Sequence, residues 1–148
     1  MHTYPWQDKY NVDLAAIDLE HKNLLACVNK LITAQHMGKS AILKLADEVV
    51  LYAEFHFLSE ENLMYLTHYP DLASHSELHR QLIKQLHNKR SQLDDAIENL
   101  QDFVSFLVHW FVEHTQTVDR KLSAYIRNYQ PAKNSPEYAV KKLLESES

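Results

Sequence analysis

His56-Phe57-Leu58-Ser59-Glu60 opens a run of imidazoles and carboxylates that continues through His75-Ser76-Glu77-Leu78-His79 and ends at His114 and Asp119. On an α-helix, residues four apart lie one turn apart on a single face. His56 with Glu60, and His75 with His79, can therefore each aim two donor groups at one point. His21 stands ahead of the run. Five histidines and two carboxylates on four expected helices suggest a metal site inside a bundle.

The apolar spacing on either side of these residues predicts the helices that carry them. A first helix begins between Asp13 and Asp18 and runs to about Met37, with Ile17, His21, Leu24, Leu25, Val28, Leu31 and Ile32 on its inner stripe. Gly38 stands where a left-handed C-cap would end it, and Ser40 offers an N-cap for the next. The second helix is expected from about Ala41 to Leu66, with Ile42, Leu45, Val49, Tyr52, His56 and Leu63 in period. Tyr69-Pro70-Asp71 breaks the chain, because a residue before proline resists the helical region. The third helix is expected from about Leu72 to Lys89, and Ser91 to Asp95 reads as a short polar connection. The fourth spans about Ala96 to Asn128, with Trp110, Phe111 and His114 on its stripe. Ser135-Pro136 reads as an N-cap with proline at the first helical position, so a short helix from Pro136 to about Leu144 follows. Residues 1–13 form an arm whose Trp6 is expected to cover one end of the bundle. The fold class is all-α: an antiparallel up-down four-helix bundle with an N-terminal arm and a short C-terminal helix.

Composition agrees and narrows the function. One glycine and four prolines in 148 residues leave few tight turns for an all-β or α/β fold. The net charge of −5, from 15 basic and 20 acidic residues, is spread along the chain. No basic stripe marks a nucleic-acid partner, and no basic amphipathic segment marks a membrane surface. Cys27 is the only cysteine, which excludes an intrachain disulfide and a thiolate cluster. Met1 to Tyr10 has no apolar leader core, and nothing approaches the ~20 apolar residues of a spanning helix. A cytoplasmic location is expected.

A single histidine on an apolar stripe is more often an ordinary core residue than a ligand. Here five fall on the stripes of four helices, and burying them without a ligand costs several kcal/mol in desolvation. A metal offsets that cost, because it accepts neutral imidazole and ionised carboxylate. His2, His36, His68, His87 and His109 do not share the arrangement and are left out. His114 and Asp119 pose a difficulty: five residues advance about 500° and leave them ~140° apart on an ideal helix. Either the helix is distorted there or Asp119 reaches around.

Trp6, Ile17-Asp18-Leu19-Glu20-His21, His56-Phe57-Leu58-Ser59-Glu60-Glu61, His75-x3-His79 and Trp110-x3-His114-x4-Asp119 together resemble the hemerythrin family, in particular its single-domain bacteriohemerythrin branch. The pattern covers roughly Trp6 to Asp119, and no ligand position is missing. Glu20, where the family often has glutamine, is a departure just outside the ligand set. The resemblance implies one hemerythrin-like domain over residues 1–148, with the arm at 1–13, the bundle at 14–130 and the tail with its short helix at 131–148. It implies a non-haem centre of two iron ions joined by a bridging oxo or hydroxo group. His75, His79 and His114 would ligate one iron, His21 and His56 the other, and Glu60 and Asp119 would bridge both. Such a ligand set leaves one position open on the iron with two histidines, where a small molecule can bind.

The implied function is reversible O2 binding by an oxygen carrier, storage or delivery protein, and not catalysis. Leu24, Leu25, Trp110 and Phe111, spaced three and four residues from His21 and His114, are candidates for an apolar ligand pocket, with core packing as the alternative role. A sensor of O2, NO or redox state acting through a protein partner is the main alternative. A di-iron oxidase or ferroxidase is a further one; such bundles use Glu-x-x-His pairs on buried stripes, which this chain lacks.

Overall fold

The computed structural model describes residues 1–146. Its helices are α1 (Ala15–Thr33), α2 (Lys39–Leu66), α3 (Leu72–Asp95), α4 (Leu100–His114), α5 (Arg120–Asn128) and α6 (Pro136–Glu145), with no strand among the described residues. α4 and α5 are one rod, joined by a π-helical turn at Thr115–Asp119. Four rods therefore make the bundle. Ion pairs between neighbours run in opposite order along the two helices: Lys30 reaches Glu48 at 2.8 Å, while Glu20 reaches His56 at 2.7 Å. Arg90 meets Asp47 and Lys89 meets Asp102, each at 2.7 Å. The rods are antiparallel, as the short connections require.

The ends of the helices show where local sequence acts. α1 tightens into a 3-10 turn at Ala34–Met37, and Gly38 then turns directly into α2. Its φ of +104° with an extended ψ is open to glycine and reverses the chain in one residue. Gly38 is thus the entry to α2 rather than a left-handed C-cap, and Ser40 lies inside the first turn instead of capping it. α2 ends in a Schellman motif: Tyr69 N–H donates to Met64 O (2.9 Å) and His68 N–H to Tyr65 O (3.3 Å). His68 takes the left-handed position with φ +57°, and Pro70 prevents any continuation.

α3 runs six residues beyond its expected end. Ser91 to Asp95 is helical, because it holds no glycine or proline, Leu93 is fully buried, and Arg90 bonds Asp94 one turn on at 3.0 Å. The reversal falls instead at Ala96 and a 3-10 turn over Ile97–Asn99. Ser135 caps α6 as expected, its hydroxyl accepting from Tyr138 N–H at 3.2 Å. Lys141 then satisfies the end of α5 by donating to the carbonyls of Arg127 (2.9 Å) and Tyr129 (2.6 Å).

Two apolar clusters fill the interior. The larger holds Leu24, Leu25, Phe57, Leu86, Phe103, Trp110 and Phe111. The smaller holds Ile17, Met64, Tyr69, Leu122, Ile126 and Leu144. Along the rods the ligand-type residues lie between the two: His21 follows Ile17 and precedes Leu24, Glu60 lies between Phe57 and Met64, and His114 to Asp119 lies between Phe111 and Leu122. The polar cluster is a layer sandwiched in apolar packing. Full burial of side chains such as Phe57 and Phe103 contributes about 1.5–3 kcal/mol each, which helps to offset that layer's desolvation.

The arm is tied down along its length. Tyr4 and Asn29 exchange two hydrogen bonds of 2.7 and 2.8 Å, and Arg127 and Arg120 donate to the carbonyls of Val12 and Lys9, each at 2.6 Å. Trp6 meets Tyr10 edge-on at 5.3 Å, and Tyr10 meets Phe111 at 5.4 Å, so the arm covers the flank of the larger cluster. No helix among the described residues is long and apolar enough to cross a membrane.

Candidate metal centre

His21 comes from α1, His56 and Glu60 from α2, His75 and His79 from α3, and His114 and Asp119 from the fourth rod. All seven are buried, and the structure brings them together. They fall into two overlapping groups: Glu60, His75, His79, His114 and Asp119, and His21, His56, Glu60 and Asp119. Within each group, donor atoms lie within 4.8 Å of one another.

The two carboxylates divide their oxygens between the groups. Glu60 Oε1 lies 2.7 Å from His75 Nε2 and 3.2 Å from His79 Nε2, while its Oε2 lies 3.3 Å from His56 Nε2. Asp119 Oδ1 lies 3.0 Å from His114 Nε2, while its Oδ2 lies 3.0 Å from His21 Nε2. Each carboxylate turns one oxygen to the group of three imidazoles and the other to the group of two.

The difficulty over Asp119 is resolved by the backbone. The π-helical turn carries more residues per turn than an α-helix, so His114 and Asp119 at i and i+5 come onto one face. The helix is distorted there, and Asp119 does not have to reach around.

These donors suit a cation. The Nε2 atoms of His75 and His79 sit 3.3 and 3.2 Å from that of His114. Cis ligands bonded at about 2.1 Å to one octahedral ion would be about 3 Å apart. All four oxygens of Glu60 and Asp119 are buried without a properly aligned hydrogen-bond donor. Unsatisfied buried carboxylate oxygens cost several kcal/mol, and a positive charge at the centre of the layer removes that cost.

In the protein alone the same attraction acts on protons. Burial disfavours a charged His56, but the hydrogen bond to Glu20 and the nearby Glu60 carboxylate outweigh it and push the imidazole up to about 10. Burial likewise opposes charge on His114, and the Asp119 carboxylate overrides it, to about 9. His75 moves up for the same reasons. Burial would raise Glu60 and Asp119; the surrounding imidazoles hold both below the usual carboxylate range.

Outside the seven donors, the packing is largely aromatic. Phe57 stacks on His79 with centroids 4.2 Å apart and planes 14° apart. Trp110 packs against His114 at 5.3 Å, and Phe111 meets His21 edge-on at 5.4 Å. Of the four expected pocket residues, Trp110 and Phe111 touch the histidines, and Leu24 and Leu25 are buried in the same apolar cluster. Phe57 escapes a reading of the sequence that sets the stripe of α2 slightly out of phase. The buried positions run Ile42, Ala46, Val49, Ala53, Phe57, Glu60 and Met64, while Leu45, Tyr52 and Leu63 are half-buried. Following the steps of three and four back from Glu60 finds it. Glu20 also lies outside the expected site, and it accepts the outward N–H of His56 at 2.7 Å. His87 and His109 lie exposed beside Glu54 and Glu113, away from the cluster.

Comparison with known proteins agrees with this geometry. The model of the family described as hemerythrin HHE cation binding domain matches residues 12–126. A bacteriohemerythrin of Clostridium acetobutylicum is 30% identical, over 80% of this chain and 97% of its own. One from Methylococcus capsulatus is 32% identical over 76% and 87%, and one from Stenotrophomonas maltophilia 29% over 82% and 80%. The matched region contains all seven donors, which form a cluster able to hold a metal, and the chain belongs to the hemerythrin family, whose domain is described as cation binding.

Proposed function

We propose that the centre holds two non-haem iron ions, joined by an oxo or hydroxo bridge, and binds O2 reversibly, making the protein an oxygen carrier or store. The observation that carries this reading is the division of each carboxylate between two unequal histidine groups. His75, His79 and His114 would hold one iron with Glu60 Oε1 and Asp119 Oδ1; His21 and His56 would hold the other with Oε2 and Oδ2. The second group has one imidazole fewer, so its ion keeps room for a small ligand. A bound iron pair would supply and take back the electrons that make O2 attachment reversible.

The chain's own contribution is orientation and exclusion of water. Phe57, Trp110 and Phe111 pack the histidines from the side of the larger cluster, and Tyr10 closes over Phe111. Five imidazoles against two carboxylates donate less negative charge than a carboxylate-rich oxidase centre, which favours release of intact O2 over cleavage of its bond. We therefore read a binding protein and not an enzyme, working in the cytoplasm, where its single half-buried Cys27 suits a reducing compartment.

The test is an optical spectrum of iron-loaded protein reduced without air, then exposed to O2, then purged. A visible band that rises with O2 and fades on purging supports reversible binding. Irreversible conversion to the oxidised form at the first exposure would move the protein to the oxidase class.

A further inference from the structure

The outward ring nitrogens of the five histidines are not treated alike. Those of His21, His75 and His114 have no partner, and that of His79 has only Glu61 at 3.5 Å, too far for a hydrogen bond. His56 alone has a short one, 2.7 Å from Nδ1 to Glu20 Oε1. The other oxygen of Glu20 is also held, accepting from Ser59 Oγ at 2.7 Å. Ser59 is three residues after His56 on the same helix, so Glu20 grips one turn of α2 at two points. Its neighbour His21 points into the centre. A single turn of α1 therefore supplies one ligand of the two-histidine group and fixes the other.

We propose that Glu20 is a positioning residue of the metal centre, a carboxylate that orients His56 and strengthens its donor nitrogen on the side with fewer histidines. A charge-assisted bond to the outward N–H locks the tautomer with Nε2 free and draws electron density toward that nitrogen. The ion with one imidazole fewer gains part of the missing donation through His56. More donation favours the oxidised ion and lowers its reduction potential. The inference rests on the two-iron reading above.

The test compares wild type with Glu20→Gln, which keeps an acceptor but loses the charge, and with Glu20→Ala, which loses both. Glu54→Gln, on the surface beside His87, is the control. In metal-free protein, the His56 Nδ1–H resonance should be downfield and slow to exchange, and should move or vanish in both Glu20 variants. In iron-loaded protein, Glu20→Ala should release one of two ions to a chelator about tenfold faster or more, with Glu20→Gln between it and wild type. Glu20→Gln should also raise the midpoint potential of one iron. An unchanged resonance, or release rates and potentials equal to wild type, would overturn the role of Glu20. A wild type that binds one iron only would overturn the two-iron reading instead, while the His56 resonance would still report independently on the bond to Glu20. Melting of the metal-free variants near the wild-type temperature excludes misfolding as the cause of a loss.

Discussion

Two turns of helix each deliver one histidine and one carboxylate to the centre, by different backbones. In α2, His56 and Glu60 are four apart on a regular helix. In the fourth rod, His114 and Asp119 are five apart, and a π-helical turn absorbs the extra residue. The first pair is visible in sequence because α-helical spacing is enough. The second has the same end geometry but depends on hydrogen bonding that the residues Thr115-Gln116-Thr117-Val118 do not announce. A π turn costs helix stability and persists where the surroundings over-determine it. Here Thr115 and Asp119 are buried on the layer while Thr117 is exposed, so the turn is held from one side by the cluster.

The largest contrast should come from changing the spacing. Deleting exposed Thr117 should regularise the rod, leave His114 and Asp119 four apart, and preserve the fold and most of the bound iron. Inserting an alanine after Leu58 gives His56 and Glu60 the five-residue spacing inside a regular helix; iron binding should be lost, since Glu60 serves both groups. Iron per chain decides the matter, and loss in the Thr117 deletion would show that the π turn is required for more than spacing.

Single ligands should have smaller effects. His79→Ala on the three-histidine side and His21→Ala on the two-histidine side should each lower iron content toward one atom or none. Two full equivalents retained by either variant would remove that residue from the ligand set. Phe57→Ala should cost about 3–5 kcal/mol in denaturant unfolding of the metal-free protein, because it empties space against His79. A cost below about 1 kcal/mol would mean that the layer packs without it. Trp110 and Leu25 are tested by the lifetime of the O2-exposed protein, which a smaller residue at either site should shorten.

The smallest effect is in pH. His56 and His114 are raised in the folded metal-free protein to about 10 and about 9, above their ordinary 6.5. They stabilise the fold fully below pH 6.5, and that stabilisation is lost as pH climbs through about 9 to 10. Glu60 and Asp119 are lowered, so their contribution is present above about pH 4.5 and is lost as pH falls further. Metal-free protein should therefore melt highest between about pH 4.5 and 6.5. Loading iron at pH 7 should displace protons from the raised imidazoles His56, His75 and His114, in addition to those released as water forms the bridge. A calorimetric titration in buffers of different ionisation heat measures that release, and none would contradict the charge assignment.

Much of this molecule is legible in its residues alone. Steps of three and four define the rods, Pro70 sets the α2–α3 break, and the coincidence of five histidines on four stripes locates the centre. What escapes has physical causes. The polar look of Ser91 to Asp95 hides a helix whose one inward residue, Leu93, is enough to anchor it. Gly38 joins two functions, ending one helix and starting the next, where sequence rules assign them separately. The hold of Glu20 on His56 is a contact between α1 and α2, which no spacing along one helix can reveal.

Anomalous diffraction at the iron edge from crystals of iron-loaded protein tests the two-iron centre most directly. Two peaks are expected, one among His75, His79 and His114 and the other between His21 and His56, with Glu60 and Asp119 spanning both. A single peak, or one on only one side of the two carboxylates, would contradict it.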